Sequence, residues 1–372
     1  MTNLALAEYF RDLPDPRISA KCDHRLLDII LLAICAVLCR AETWEEIEWF
    51  GDSKAEWLKQ WLELPNGIPS HDTIERVFNK LDPQAFQARF QSWVQAVFTV
   101  TEGQVVAIDG KTVCGAGGGR GKSNLHLVSA WASANGITLG QVKVNAKSNE
   151  ITAIPELLKL LVLKGCIVTL DAMGCQTAIA EQIVTQKADY VLAVKQNQGQ
   201  LYQHVQDMFA LAEDPRFPHI QAQSAETVEQ GHGRHELRRC EVLTDTTPQQ
   251  SGWVGCQTLV RILRQRQIKD KVEQETAYFI STLPAKPDLL LNCVRTHWTI
   301  ENSFHWVLDV VFGEDTHRTR TLKAAENLAV LRRITLNLLK QHTAKTGLKG
   351  SLKGKRYRAS LREDFLLEVL RS

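Results

Sequence analysis

Two hydrophobic periodicities divide the chain. Up to residue 98, apolar positions recur every three or four residues and predict helices at Leu26–Cys39, Trp44–Leu62, Asp72–Leu81 and Gln84–Phe98. Ser70, following the Gly67-Ile68-Pro69 break, stands where it would cap the third of these. From Gln104 the pattern shortens to β-branched runs at Val105–Asp109, Leu125–Ser133 and Ile137–Val144, with Asn135-Gly136 as a hairpin signal between the last two. Helix Ile151–Leu163, strand Cys166–Asp171, helix Cys175–Lys187 and strand Tyr190–Lys195 follow, so the order is β-β-β-α-β-α-β. The next stretch, to about Leu291, reads mainly as strand, with runs near Thr227–Leu243, Thr258–Arg266 and Thr276–Thr282. Helices resume at Leu289–Phe312 and Leu322–Gln341, and Gly347–Arg358 is rich in Gly and Lys without core periodicity.

Composition narrows the class. With 372 residues and 44% hydrophobic content, the chain can bury one large core, or a core and a smaller lobe. The longest apolar run, Ile29–Cys39, is bracketed by Arg25 and Arg40. It falls short of the roughly 20 residues a bilayer needs, so it reads as a buried helix, and the expected location is the cytoplasm. Nine cysteines without a CxxC pair argue against a zinc site or a disulfide framework. The net charge of +2 hides a gradient, for Thr316–Ser372 holds 14 Lys/Arg against 4 Asp/Glu and is where a polyanion is expected to bind through its phosphates. Residues 1–100 carry 10 basic against 15 acidic groups. A helix-turn-helix DNA reader there competes with simple packing through Ile74, Val77, Phe78 and Leu81.

Three segments carry candidate chemistry: VVAIDGK at Asp109, IVTLDAMG at Asp171 and HWTIENSFHW at Glu301. If the strands form a mixed sheet ordered 3-2-1-4-5, the first and fourth are neighbours, and two strand-ending aspartates emerge at one edge. A helix after the fifth strand can bring Glu301 to that edge, with Ile300, Phe304, Val307 and Val311 as its core stripe and His297, Glu301 and His305 as a second stripe. Three carboxylates make an all-oxygen cradle for a hard cation. Two such ions about 3.5–4 Å apart activate the attacking oxygen and stabilise the leaving oxygen of a phosphodiester. Ala116–Ser123 fits a relaxed phosphate-loop pattern, but such a loop must join a strand directly to a helix, whereas the strand is expected to end at Asp109 and LHLVSAWAS to form another. His297 and His305 are two helical turns apart, too far to share one zinc ion.

Seven segments in order, GIPSHDTIERVF, AIDGKT, KSNEITAIPELL, TLDAMGCQ, ADYVLAVKQNQ, HGRHE and RTHWTIENSFHWVLDVVFGED, resemble the H-repeat-associated transposases of bacterial insertion sequences. The resemblance runs from about residue 5 to 340. It implies an α/β fold: an all-α N-terminal lobe (1–98), a ribonuclease-H-like mixed-sheet DDE domain (99–345) with a β-rich insertion at about 198–288, and a basic tail (346–372). By position it makes Asp109, Asp171 and Glu301 the catalytic, metal-binding triad, with Mg²⁺ as cofactor and Mn²⁺ as substitute. The implied activity is hydrolysis and strand transfer that mobilise an insertion element. The implied partner is double-stranded DNA, both element ends and target, with a homodimer or higher oligomer forming on it at the nucleoid. Lys111, Lys195, Asn197, Arg234, Arg295, His297, Asn302 and His305 are the candidate DNA contacts. Some related transposases carry Tyr, Arg and Lys at offsets −7, −4 and +7 from the Glu, where this chain has Val294, His297 and Leu308. A plain metal-dependent nuclease and a non-catalytic DNA-binding derivative are the alternatives.

Overall fold

Helices α1 (Ala5–Phe10) and α2 (Leu26–Leu38) open the chain in a computed structural model that describes residues 4–18, 22–98, 101–114, 125–145, 149–231, 234–268, 271–316, 319 and 321–372. A helix apolar on nearly every face is stable only when enclosed. Every residue of α2 except Leu27 is buried, including Asp28, whose carboxylate accepts the Leu64 amide at 3.0 Å. The predicted Trp44–Leu62 helix is broken at Lys54 into α3 (Trp44–Ser53) and α4 (Ala55–Leu58), and α3 is started by a capping box between Thr43 and Glu46. In α5 (His71–Lys80) the expected Ser70 side-chain cap is absent. The Ser70 hydroxyl bonds Thr73 instead, and Glu48 accepts the free His71 amide at 2.9 Å. Helix α6 (Pro83–Val97) completes this lobe.

The predicted series follows as β1 (Val105–Val113), β2 (Leu125–Ala132), β3 (Ile137–Lys143), α7 (Glu150–Lys159), β4 (Ile167–Leu170), α8 (Thr177–Thr185) and β5 (Asp189–Val194). Helix α9 (Gly199–Glu213) falls in the stretch read mainly as strand, although Leu201, Val205 and Phe209, one turn apart, are its buried stripe. The single run expected at Thr227–Leu243 is two paired strands, β6 (Gln223–Gly231) and β7 (Arg234–Thr244), followed by β8 (Thr258–Ile268) and β9 (Lys271–Ser281). All nine strands form one mixed sheet, ordered β3-β2-β1-β4-β5-β9-β8-β7-β6. The predicted 3-2-1-4-5 order is therefore half of it, and the insertion extends the same sheet through β9, antiparallel to β5.

Helix α10 (Pro287–His297) covers one face, its Leu290, Leu291, Cys293 and Val294 packing with Val105, Ile167, Val191 and Val260. It runs through Trp298 into a π-helical turn, Glu301–His305, and then α11 (Trp306–Val310), in place of the uninterrupted α-helix expected over Leu289–Phe312. Helix α12 (Leu322–Thr346) joins the helical lobe to the sheet through two buried asparagines. Asn327 donates to Phe78 O and Leu81 O at the end of α5, and Asn337 exchanges two 2.9 Å bonds with the Thr138 backbone in β3. Lobe and sheet thus share one continuous apolar core.

The basic end is not a loose tail. It forms α13 (Leu352–Leu361) and α14 (Glu363–Leu370), with Phe365, Leu366, Val369 and Leu370 in the main core. Among its cations, Lys355 and Arg356 are buried, as are Arg332 and Arg333 in α12. Arg356 donates to Val37 O at 2.8 Å and to Val311 O, satisfying carbonyls at two helix ends. Part of the positive excess is therefore internal, and the expectation that this segment as a whole faces a polyanion is corrected. Among the described residues no helix is long and apolar enough to cross a membrane.

Candidate active site

The parallel register of β1 and β4 pairs Ala107 with Thr169 and Ile108 with Leu170, after which β4 stops. The next residues on each strand are Asp109 and Asp171, so the two carboxylates emerge side by side. One detail differs from expectation: β1 does not end at Asp109 but continues to Val113, paired with β2. Side chains alternate along a strand, so Val105, Ala107, Asp109 and Lys111 share the face that α10 and the π turn cover. The Ala116–Ser123 loop lies outside the described residues.

Asp109, Asp171 and Glu301 line one cleft of about 1080 Å³ together with Lys195, Asn197 and His297. Asp171 is oriented by the amides of Met173 and Gly174, each 3.1 Å from its Oδ1. Asn197 steadies the same loop by donating to Ala172 O at 2.7 Å, which gives it a local structural task. Lys195 is exposed at the cleft rim. His297 pairs its Nδ1 with the Thr169 hydroxyl at 2.9 Å, and His305 is partly buried with Nδ1 3.6 Å from Asp109 Oδ2.

Other candidates lie elsewhere. Lys111 is buried and engaged by carboxylates, so it is not a solvated turn residue. Arg295 is ion-paired to Glu229 of β6 and, with Asn302, lines a second groove of about 570 Å³ beside the first. Exposed Trp298 lines both. Arg234 opens β7, but its side chain lies outside the described residues. Val294 and Leu308 are buried in core packing.

The surroundings of Asp109 hold groups that the pattern reading missed. Glu150, at the start of α7, accepts or shares a proton with His126 Nε2 at 2.7 Å, and His126 Nδ1 meets the Thr112 hydroxyl at 2.8 Å. A Cβ at Gly110 would come within 2.1 Å of Glu150 Oε1, so the glycine of Asp109-Gly110 leaves room for a fourth carboxylate. Glu150 sits in KSNEITAIPELL, a segment that carried the resemblance but no assigned role.

Burial, with the charges of Asp171, Glu150 and Glu301, pushes the Asp109 carboxyl up to about 7 against the opposing Gly110 amide. Burial likewise pulls His297 down to about 4, opposed by Asp171, and His305 down to about 3. Both imidazoles are therefore neutral at physiological pH. The chemistry of the donors fits a hard cation: several carboxylates surround a half-enclosed point, and positive charge placed there favours the ionised form of Asp109 that burial and the neighbouring charges disfavour. Among the described residues no three His, Cys, Asp or Glu side chains are gathered closely enough to enclose one ion.

A pH profile follows. A carboxyl raised in the fold contributes stability that is lost as pH rises through about 7, whereas histidines lowered in the fold contribute stability that is lost as pH falls below about 6.5. Metal-free Asp109→Asn protein is expected to be more stable than wild type at pH 8, by on the order of 2–4 kcal/mol, with the difference shrinking towards pH 5. Urea denaturation at both pH values checks this, and equal stability at pH 8 would remove the charge repulsion at Asp109.

Residues 101–338 match the family of transposase DDE domains, and residues 7–94 match the domain associated with it. The chain belongs to the DDE transposase family. Its relatives include the "Putative transposase YncI" of Escherichia coli O157:H7, 42% identical over 100% of this chain and 96% of that protein. The "H repeat-associated putative transposase YhhI" of Escherichia coli K12 is 38% identical over 98% of this chain and 97% of that protein. A piggyBac transposase synaptic complex with hairpin DNA, solved by cryo-electron microscopy, aligns with a TM-score of 0.41 and 12% identity over 99% of this chain and 78% of that chain.

Proposed function

We propose that this protein is a catalytically competent transposase that cuts the ends of a DNA element and joins them to target DNA, using a ribonuclease-H-like core. The observation that carries the reading is the emergence of Asp109 and Asp171 at adjacent parallel strands, on a cleft that also receives Glu301. Asp109, Asp171 and Glu301 would hold Mg²⁺, or Mn²⁺ in its place. Ions bound there supply Lewis-acid activation of the attacking oxygen and charge stabilisation at the leaving oxygen.

The chain's own residues do the rest by placement. The Met173 and Gly174 amides fix the Asp171 carboxylate, and Asn197 holds the loop that carries those amides. Thr169 holds His297 at the cleft wall in its neutral form, so the imidazole adds no charge to repel a cation. Lys195 at the rim is free to meet a DNA phosphate, and no covalent protein–DNA intermediate is needed.

The test is incubation of the purified full chain with a supercoiled plasmid carrying the element's two ends. Mg²⁺ or Mn²⁺ should yield cuts at those ends and joined products, EDTA should abolish both, and ATP should change nothing. Cutting without preference for the ends and without joining would make the protein a nuclease. Binding with no cutting in either ion would make it a non-catalytic DNA-binding derivative.

A further inference from the structure

Lys111 lies two residues beyond Asp109 on the same face of β1, and its side chain is only 7% exposed. Its Nζ stands 2.7 Å from Asp309 Oδ1, 2.9 Å from Asp315 Oδ1 and 3.7 Å from Glu314 Oε2. Glu314 is fully buried and pairs at 2.8 Å with Arg333, which is equally buried. Asp315 also accepts the Cys114 amide at 3.2 Å, which ties it to the end of β1. Arg332 is buried beside Glu314 and Arg333, with Glu42 and Asp315 also within its field, so cations and carboxylates share one buried cluster. Removing one member would strand a buried charge, which is far more costly than the pairing is favourable.

The carboxylates all come from the stretch just after Glu301. Asp309 is in α11, and Glu314 and Asp315 lie in the turn that follows. Between Glu301 and Asp309 runs the π-helical turn, a rare geometry that is frequent at functional sites. The segment bearing Glu301 is therefore anchored to β1 from its C-terminal side, at a residue two places from Asp109.

We propose that Lys111 is a positioning residue: its ammonium clamps the Asp309–Asp315 segment onto β1 and so sets where Glu301 stands relative to Asp109 and Asp171. The role rests on the reading of those three carboxylates as the active set. It takes Lys111 out of contact with DNA, because its donors face protein carboxylates inside the fold.

The test uses full-length Lys111→Met, Lys111→Arg and Asp309→Asn proteins. In metal-free Lys111→Met, amide hydrogen exchange over residues 298–312 should quicken by about tenfold or more relative to the rest of the chain. Mn²⁺ affinity, read from the free-ion electron paramagnetic resonance signal, should fall about 10- to 100-fold. Cleavage at saturating DNA should fall about 100-fold, the scale expected for small misplacement of a reacting group. DNA affinity and its salt slope should stay as in wild type, and Lys111→Arg, which keeps the cation, should recover most of each loss. Asp309→Asn, whose side chain is about a third exposed, should show the same pattern more weakly and stands in if Lys111→Met fails to fold.

Wild-type exchange and Mn²⁺ affinity in Lys111→Met would overturn the clamp. So would weakened DNA binding with a salt slope shallower by about one contact, which would return Lys111 to the phosphate backbone. A wild-type protein that binds no Mn²⁺ would overturn the carboxylate reading instead, and the exchange data would still decide whether the clamp holds the segment.

Discussion

Asp109→Asn, Asp171→Asn and Glu301→Gln are each expected to lower DNA cleavage by about 10³-fold or more, since losing a metal-holding charge withdraws several kcal/mol of transition-state stabilisation and each 1.36 kcal/mol is tenfold in rate. Folding and DNA affinity should survive, for reasons that differ by residue. Asn at 109 relieves the repulsion that burial and neighbouring carboxylates impose there. Asn at 171 keeps an oxygen able to accept the Met173 and Gly174 amides. Glu301 is exposed. Plasmid nicking in Mn²⁺ measures the effect, and a variant that cuts within about tenfold of wild type, a difference of only 1.36 kcal/mol, would not belong to the active set.

Deleting residues 347–372 is expected to unfold the protein, not merely to weaken its grip on DNA. Phe365, Leu366, Val369 and Leu370 are at most 3% exposed. Truncating a buried side chain of this kind costs about 2–5 kcal/mol, and four together rival the about 5–15 kcal/mol that separates a typical native state from its unfolded chain. The deletion also strips Arg356 from the Val37 and Val311 carbonyls. Thermal melting decides the matter: a truncated chain melting within a few degrees of the full protein would show that α13 and α14 are dispensable. Electrostatic contact with DNA is better sought by replacing exposed Lys349 and Lys353, which leaves the core whole.

The adjacency of Asp109 and Asp171 was legible because strand order and strand-end position suffice to infer it. Glu301 was a different matter. Between it and Asp171 lie five strands and three α-helices, α8, α9 and α10, so the strand pattern shows only that a helix after the fifth strand can reach that edge, and the motif resemblance singles out this glutamate. Local pattern could not reveal the π turn, since a register slip of one residue changes which side chains share a face without changing the apolar count; hence Leu308 is fully buried where Val311 was expected to carry the stripe. The carboxylates around Lys111 are not legible from local pattern because they lie about 200 residues away in sequence. Arg356 and Lys355 were misread because a count of charges says nothing about their surroundings. The pairs Phe365–Val369 and Leu366–Leu370, spaced by four, were a helix signal that the Gly/Lys-rich stretch before them obscured.

The arm formed by β6 to β9 has a narrow root. Strands β7 and β8 are paired over eleven positions, but β9 joins β5 over only four, Val191–Val194 against Tyr278–Ser281. Within the sheet the arm is fixed like a cantilever by this short weld, with α10 as a brace across β6 to β8. The chain leaves the same patch through Lys195 to Asn197, the residue that grips Ala172 beside Asp171. A pull on the far end of the sheet thus enters the core both at that patch, a few residues from the cleft, and through α10, whose Arg295 is paired to Glu229 of β6.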